Sequence, residues 1–383
     1  MISYGKQHIE QADIDAVIDV LKSDFLTQGP AVAAFESAFA SYTGSTYCVA
    51  VNSGTSALHM ACNALGVEQG SLVWTTPISF AASANCALYC GATVDFVDIE
   101  LNTGLMCLDT LERKLLKAKQ NCDLPNVVIP VHYAGQSVDM AKLRALADEF
   151  GFGIIEDACH ATGAKYNNEP VGNCQYSDIS VFSFHPVKNM TTAEGGAATT
   201  NNATIAQSMQ QFRTHGITKS PDVMLDKDPA PWYYEQHDLG FNYRLSDIHA
   251  ALGISQLAHL DDFIEKRNQI AAHYDSLFES STNVATIKTH SFNRSGFHLY
   301  PILLQDEATR REVYDSLRAN DVICQVHYLP IYQLPYYQNL GFKSGYCPNA
   351  ESFYKRELSI PIFVDLTYEQ QELVVSLIKQ AIS

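Results

Sequence analysis

The stretch Ile179-Ser-Val-Phe-Ser183-Phe-His-Pro-Val-Lys188-Asn-Met-Thr-Thr-Ala-Glu194-Gly-Gly196 joins an apolar, strand-like run to a single lysine. Surface lysines usually have charged neighbours, whereas Lys188 lies among Phe, His, Pro, Val and Met. An amine in an apolar pocket loses its proton readily, which suits a Schiff base with a carbonyl cofactor. The alternative is a lysine whose stem packs on the core while its ammonium group reaches water. The stretch alone leaves both interpretations open.

On either side of this stretch, short apolar runs alternate with helical patterns. The helical spacing of apolar residues predicts helices over 10–23, 31–42, 55–65, 80–90 and 139–151. The apolar runs predict strands over 47–51, 72–75, 93–97, 126–132, 153–156 and 179–183. Strands that are apolar throughout and alternate with helices indicate an α/β fold with a mostly parallel central sheet, covered on both faces.

The C-terminal third has a different pattern. Residues 219–237 are polar and rich in proline, which predicts a loop, and 245–280 then predicts one long helix. The remainder, 281–383, has the pattern of a smaller α+β domain. We therefore expect a large domain over residues 1–250 and a bridging helix with a small domain over 251–383.

Composition excludes several classes of function. The formal net charge of −17 argues against nucleic acid or an anionic membrane as a partner. The ten cysteines are scattered without a CxxC pair, so we expect no metal site. The N-terminus lacks the pattern of a signal peptide, and no apolar run is long enough to span a membrane. These features predict a cytoplasmic protein.

Three further segments follow predicted strands, at the edge where open parallel sheets bind ligands. Asn52-Ser-Gly54-Thr55-Ser56 opens a helix whose free N–H groups suit a phosphate, although a simple helix cap explains the same residues. Phe80 stands among small residues that would let a flat ring approach, although core packing is the ordinary alternative.

The third segment is Asp157-Ala-Cys-His160. A carboxylate directly after a buried strand needs a cationic partner, such as a protonated pyridine nitrogen, unless it only caps a helix. His160 could bind a ring hydroxyl or merely fill space. A phosphate cradle, a stacking aromatic ring, a pyridine partner and a lysine are together the parts of a pyridoxal 5′-phosphate site.

The chain resembles the DegT/DnrJ/EryC1/StrS family of sugar aminotransferases, fold-type I enzymes that use pyridoxal 5′-phosphate and act on nucleotide-linked keto-sugars. The resemblance covers nearly the whole chain. It rests on Leu26-Thr-Gln-Gly-Pro30, Ser53-Gly-Thr-Ser-Ala-Leu58, Phe80 with Asn85, Glu156-Asp-Ala-Cys-His160, Ser183-Phe-His with Lys188 and Glu194-Gly-Gly196, Gly240-Phe-Asn-Tyr-Arg244-Leu and Ser359-Ile-Pro361.

The resemblance implies a role for each matching residue. Lys188 would bind the cofactor covalently, Asp157 would pair with its ring nitrogen, Phe80 would stack on the ring and His160 would lie near the 3-hydroxyl. Gly54, Thr55 and Ser183 would hold the phosphate. Asn242 would reach the site of a neighbouring subunit in a homodimer. The segments implied to line the sugar-nucleotide site are Tyr4, Phe25, Leu26, Thr27, Gln325, Val326, His327 and Tyr328.

Within the family, the resemblance is greatest to C4 aminotransferases of pseudaminic acid biosynthesis, which use L-glutamate and a UDP-linked 4-keto sugar. It rests on Thr75-Thr-Pro-Ile-Ser-Phe80, Phe184-His-Pro-Val-Lys188 and Gln325-Val-His-Tyr-Leu-Pro-Ile-Tyr332. A lysine at position 188, where some members carry histidine and dehydrate, argues for amino transfer. Two alternatives stay open: a different nucleotide-linked 4-keto or 3-keto sugar, and a non-catalytic regulator that binds the cofactor.

Overall fold

The computed structural model describes residues 1–382 and contains fifteen short strands. In chain order they are β1 (Tyr47–Val51), β2 (Leu72–Thr75), β3 (Thr93–Phe96), β4 (Val127–Ile129), β5 (Gly153–Asp157), β6 (Lys165–Tyr166), β7 (Glu169–Pro170), β8 (Ile179–Ser183), β9 (Gly196–Thr200), β10 (Ile217–Thr218), β11 (Glu235–Gln236), β12 (Ala285–Thr286), β13 (Asn293–Arg294), β14 (Tyr300–Leu303) and β15 (Glu357–Ile360).

Seven of these strands form the central sheet, in the order β1-β9-β8-β5-β4-β2-β3. β8, β5, β4, β2 and β3 pair in parallel, and β9 lies antiparallel between β1 and β8. The predicted mostly parallel sheet is confirmed. Its strands are buried almost throughout, as expected for a sheet covered on both faces.

Thirteen α-helices connect and cover the strands among the described residues. They are α1 (Gln11–Leu21), α2 (Pro30–Thr43), α3 (Gly54–Ala64), α4 (Ala82–Tyr89), α5 (Leu108–Asn121), α6 (Met140–Phe150), α7 (Ala203–Phe212), α8 (Asp247–Ala258), α9 (Leu260–Phe278), α10 (Glu307–Ala319), α11 (Pro335–Asn339), α12 (Pro348–Arg356) and α13 (Tyr368–Ala381). None of them is both long enough and apolar enough to cross a membrane.

The long helix predicted over 245–280 is instead two helices, α8 and α9. They meet at His259, whose backbone (φ −105°, ψ 0°) ends the first and begins the second. The apolar periodicity continues through the break, so the pattern alone did not mark it. The loop predicted over 219–237 is correct except at its end, where β11 pairs with β10 in a short antiparallel ribbon.

Two hydrophobic clusters lie in the molecule. The larger surrounds the central sheet. The smaller joins α9, α10 and α13 to β14 and β15, and it also takes in Ile2 from the N-terminus. Several residues of the segment 331–353, including Tyr337 and Phe353, belong to the larger cluster. The division at residue 250 stays a prediction.

A buried carboxylate ties α8 to the start of α2. Asp247, the first residue of α8, accepts the backbone N–H groups of Gly29 and Ala31, each at 2.8 Å. These N–H groups have no acceptor within their own helix, and an anion there is also favoured by the helix dipole. The side chain is 1% exposed, so water cannot replace it.

We predict that Asp247→Ala lowers the free energy of unfolding by about 2–3 kcal/mol, because two buried N–H groups lose a charged acceptor. Asp247→Asn keeps one acceptor oxygen, so it should lower the free energy of unfolding by less. Urea unfolding of both variants measures this. The matched control is Asp262→Ala in the exposed first turn of α9, and equal stability of Asp247→Ala and this control would contradict the capping role.

Candidate active site

A cavity of about 350 Å³ opens at the carboxyl edge of the central sheet. The ends of β5 and β8 lead into it, as does the start of α3 after β1. It lies where parallel sheets generally bind ligands, because the chain leaves the sheet there in loops that free side chains from the ladder. Ten of the predicted site residues line it: Tyr4, Gly54, Thr55, Phe80, Asp157, His160, Ser183, Lys188, His327 and Tyr328.

Lys188 lies in the connection between β8 and β9. Its backbone N–H donates to the carbonyl of His185, so a tight turn carries the side chain into the cavity. Nζ lies 3.4 Å from Nε2 of His298. Burial lowers the pKa of the Lys188 amine, while the neighbouring Cys159 and Asp157 oppose that change. The amine is therefore nearer to its neutral, nucleophilic form than a surface lysine would be.

Asp157 is the last residue of β5 and is 4% exposed. Its Oδ2 accepts the hydroxyl of Ser83 at 2.6 Å, and its Oδ1 accepts the N–H of Cys159 at 3.2 Å. Ser83 lies 2.6 Å from the hydroxyl of Ser79 in turn. Within residues 1–382, Asp157 forms no salt bridge, so neutral donors alone hold this buried carboxylate.

The start of α3 faces Ser183 at the end of β8. Ser53 caps the helix by accepting the N–H of Ser56. The approach is close: a Cβ on Gly54 would lie 2.8 Å from Cβ of Ser183 and 3.2 Å from its hydroxyl oxygen. The first N–H groups of a helix have no acceptor within it, so Gly54, Thr55 and Ser183 together form a cradle of donors.

Three histidines surround Lys188. His160 and His298 lie with their ring centroids 4.5 Å apart, and Nε2 of His160 lies 3.2 Å from the hydroxyl of Tyr328. Burial, followed by the charge of Lys188, lowers the pKa of His160 and of His298 well below the usual range. The same two causes lower the pKa of His327 to about 3. All three rings are therefore neutral near pH 7.

Phe80 stands at the mouth of the cavity, with 64% of its surface exposed. Core packing, the alternative left open by the sequence, is therefore wrong for this side chain. An apolar ring that lines a cavity and is not covered by its own chain is suited to contact with a flat ligand.

The remaining predicted residues lie outside this cavity. Phe25, Leu26 and Thr27 are exposed, and Thr27 pairs with Ser246. Asn242 is also exposed, and its carbonyl accepts from the side chain of Asn52. Gln325 pairs through its backbone with Ser359, and Val326 packs on the smaller hydrophobic cluster. The side chain of Val326 therefore turns away from the cavity.

Comparison with known proteins gives one consistent result. The model of the DegT/DnrJ/EryC1/StrS aminotransferase family matches residues 7–379. The chain belongs to this family. It is therefore a sugar aminotransferase that uses pyridoxal 5′-phosphate, and the predicted family, enzyme class and cofactor are confirmed.

Individual relatives match over nearly their full length. The UDP-4-amino-4,6-dideoxy-N-acetyl-beta-L-altrosamine transaminase of Campylobacter jejuni is 42% identical over 98% of this chain and 96% of its own. Helicobacter pylori PseC, an aminotransferase involved in the biosynthesis of pseudoaminic acid, has a TM-score of 0.90 at 32% identity, covering 99% and 98% of the two chains. The PLP-form of Spr1654 from Streptococcus pneumoniae has a TM-score of 0.88 at 29% identity, covering 99% and 98%. The predicted fold class is confirmed.

The cavity of this aminotransferase fits its cofactor. Asp157 is a buried carboxylate held by neutral donors, which suits a cationic ring nitrogen. Nδ1 of His160 is buried and has no hydrogen-bond partner among the described residues, so it is free for a polar group of a ligand. The cradle at the start of α3 suits a phosphate.

The sequence did not single out two residues that line this cavity. Ser83 is one of several small residues in Phe80-Ala-Ala-Ser-Ala-Asn85, and nothing in that pattern shows that it faces Asp157. His298 precedes β14 and reaches Lys188 only through tertiary contacts. A histidine directly before an apolar strand was the only local signal.

We predict that Gly54→Ala weakens binding of pyridoxal 5′-phosphate by about tenfold or more, since the added methyl group displaces Ser183 from the cradle. Fluorescence titration of the apoenzyme measures the dissociation constant. Gly5→Ala is the matched control, because its Cβ would have no neighbour closer than 3.8 Å. Equal affinity in both variants would contradict the cradle.

Proposed function

We propose that this enzyme transfers the amino group of L-glutamate to C4 of a UDP-linked 4-keto-6-deoxy-N-acetylhexosamine. The product would be UDP-4-amino-4,6-dideoxy-N-acetyl-β-L-altrosamine, an intermediate of pseudaminic acid biosynthesis. Support comes from the Campylobacter jejuni transaminases of that name, which are 42% and 41% identical over 98% of this chain.

The observation that carries the proposal is the meeting of two kinds of residue in one cavity. Asp157 ends a strand of the central sheet and Lys188 lies in a connection between two of its strands, whereas Tyr4, His327 and Tyr328 come from the N-terminal and C-terminal segments. The first group suits the cofactor. The second group adds aromatic side chains that can form hydrogen bonds with a sugar nucleotide in the same cavity.

The chain offers a residue for each part of the cofactor. We infer that Gly54, Thr55 and Ser183 hold its phosphate, that Phe80 covers its ring and that Asp157 faces its ring nitrogen. Pyridoxal phosphate supplies an electron sink that stabilises negative charge at the carbon next to the transferred nitrogen. The Ser83 hydroxyl and the N–H of Cys159 hold the Asp157 carboxylate in place by hydrogen bonds.

Lys188 is the proton carrier of this proposal. Its amine, with a pKa lowered by burial, can take a proton from the α-carbon of glutamate and return one to C4 of the sugar. The neutral rings of His160 and His298 add no positive charge beside it and can accept hydrogen bonds. These rings and Tyr328 also restrict the access of water to the amine.

We also propose a cytoplasmic homodimer. The apolar side chains of Phe25, Leu26 and Phe241 are exposed. The chain at Phe241 reaches the edge of the cavity through Tyr243, whose carbonyl accepts the N–H of Asn52 directly before Ser53 of the cavity lining. Such a patch is typical of a protein interface. An interface at this patch would place Asn242 and the segment 25–27 next to the active site of the partner subunit. All ten cysteines are free thiols, as is usual in a reducing compartment.

The substrate is tested directly by incubating the holoenzyme with L-glutamate and candidate UDP-linked keto-sugars, and by identifying the amino-sugar by NMR. Formation of the 4-amino-altrosamine product with 2-oxoglutarate is the expected result. If an amino-sugar forms only from a different 4-keto or 3-keto sugar, the proposed substrate is wrong and that sugar takes its place. If no sugar accepts an amino group, the result would favour the alternative of a non-catalytic regulator that binds the cofactor.

We predict that Lys188→Ala reduces turnover by at least about 1,000-fold, because Lys188 supplies the one amine among the described residues that line the cavity. Steady-state assay of 2-oxoglutarate release measures it. The exposed Lys117→Ala is the matched control and should retain full activity. Turnover of Lys188→Ala near that of the control would make the assignment wrong.

We predict that Asp157→Asn keeps the cofactor bound but lowers kcat by about 100-fold or more, because the carboxylate that would face the ring nitrogen, and so strengthen the ring as an electron sink, is lost. Cofactor content is read from absorbance after denaturation, and kcat from the same coupled assay. Asp109→Asn, at an exposed carboxylate, serves as control. Unchanged kinetics would reduce Asp157 to a structural residue.

A further inference from the structure

A buried carboxyl group outside the cavity is connected to it by hydrogen bonds. Glu357 begins β15 and has no exposed surface. One carboxyl oxygen, Oε2, accepts the backbone N–H of His327 at 2.7 Å, and the other, Oε1, lies 2.6 Å from the hydroxyl of Ser359. That hydroxyl lies 2.9 Å from Nδ1 of His327. We call the sequence Glu357–Ser359–His327 the relay.

The backbone holds the relay in register. Gln325 and Ser359 exchange both backbone hydrogen bonds, of 3.1 and 2.8 Å, which places His327 beside Glu357 at the start of β15. The hydroxyl of Tyr133 donates to the carbonyl of His327 at 2.7 Å. The His327 ring is therefore held at its backbone and at Nδ1, and Nε2 is the ring nitrogen left for a ligand in the cavity.

The position of one proton decides what Nε2 can do. If Glu357 is protonated, its O–H donates to Ser359, the serine O–H donates to Nδ1, and the neutral ring carries its proton on Nε2. If Glu357 is ionised, the serine O–H turns to the carboxylate, Nδ1–H donates to the serine oxygen, and Nε2 becomes an acceptor. The change releases one proton to solvent in total.

We propose that Glu357, acting through Ser359, is a positioning residue that decides whether His327 presents a donor or an acceptor to the sugar nucleotide. This inference rests on the proposed function for the identity of the ligand. The keto-sugar substrate carries mostly acceptors, namely its carbonyl, amide and phosphate oxygens. The donor form of His327 is therefore the one that binds it.

The surroundings of the relay favour the protonated form near neutral pH. Burial raises the pKa of Glu357 to about 8, against the opposing effects of its hydrogen bonds and of Arg310. The imidazole itself stays neutral, since its pKa lies near 3. The other titratable groups that face the relay are Tyr133, Cys324 and Tyr328 around the carboxyl group, and Tyr4, Lys188, His160 and His298 around the ring.

The direct test is ¹⁵N NMR of the holoenzyme labelled at histidine, without substrate. In the wild type, the protonated nitrogen of His327 should move from Nε2 to Nδ1 as the pH rises through about 8. In Glu357→Gln, the amide oxygen can accept the N–H of His327 and the amide nitrogen can donate to Ser359. The proton should then remain on Nε2 at every pH, and a proton that still moves would overturn the proposal.

Kinetics give a second readout. Between pH 7 and 9, the KM of the wild type for the keto-sugar should rise about tenfold, whereas the KM of Glu357→Gln should not show this rise. A tenfold rise is the loss of affinity expected when one hydrogen bond to the substrate is no longer made. Asp275→Asn, at another carboxyl group whose pKa burial raises, should follow the wild type. Identical pH profiles in all three would overturn the proposal. A wrong sugar would abolish turnover in every variant but leave the NMR result intact, so the two failures are distinguishable.

Discussion

A carboxylate buried without a cation of its own is the constraint on which the active site depends. Asp157 ends β5 and is held only by the Ser83 hydroxyl and by the N–H of Cys159. A buried charge is costly unless a charged partner compensates it, and removing that partner is more costly still. In the function proposed above, a cationic ring would complete this site. Lys188 and the cradle at the start of α3 line the same cavity.

The sheet explains why so much of this site could be predicted from the sequence. Gly54, Phe80, Asp157 and Ser183 each follow or end a strand that pairs in the same sheet, so their order along the chain translates into one edge in space. The apolar strands were clear because parallel strands are buried on both faces. Residues whose place in the site depends only on where a strand ends could therefore be predicted.

Other parts of the fold and of the site could not be predicted from the sequence, for physical reasons. β9 has the sequence Gly-Ala-Ala-Thr-Thr, which lacks the large apolar residues that mark a central strand, and it is also the one strand that runs antiparallel in this sheet. The contact of His298 with Lys188 joins residues more than a hundred positions apart in the sequence. The relay joins Glu357 to His327, some thirty positions away. Phe25 and Asn242 lie outside the cavity of their own chain, and their predicted role waits on the proposed partner subunit.

In the proposed function, Lys188 holds the cofactor covalently. Borohydride reduction of the holoenzyme followed by peptide mass spectrometry tests it most directly, because reduction makes the lysine–cofactor bond permanent. The added mass is expected on Lys188 alone, in the peptide that contains His185 to Thr192. Label on another lysine, or no label on a protein that still transfers amino groups, would contradict it.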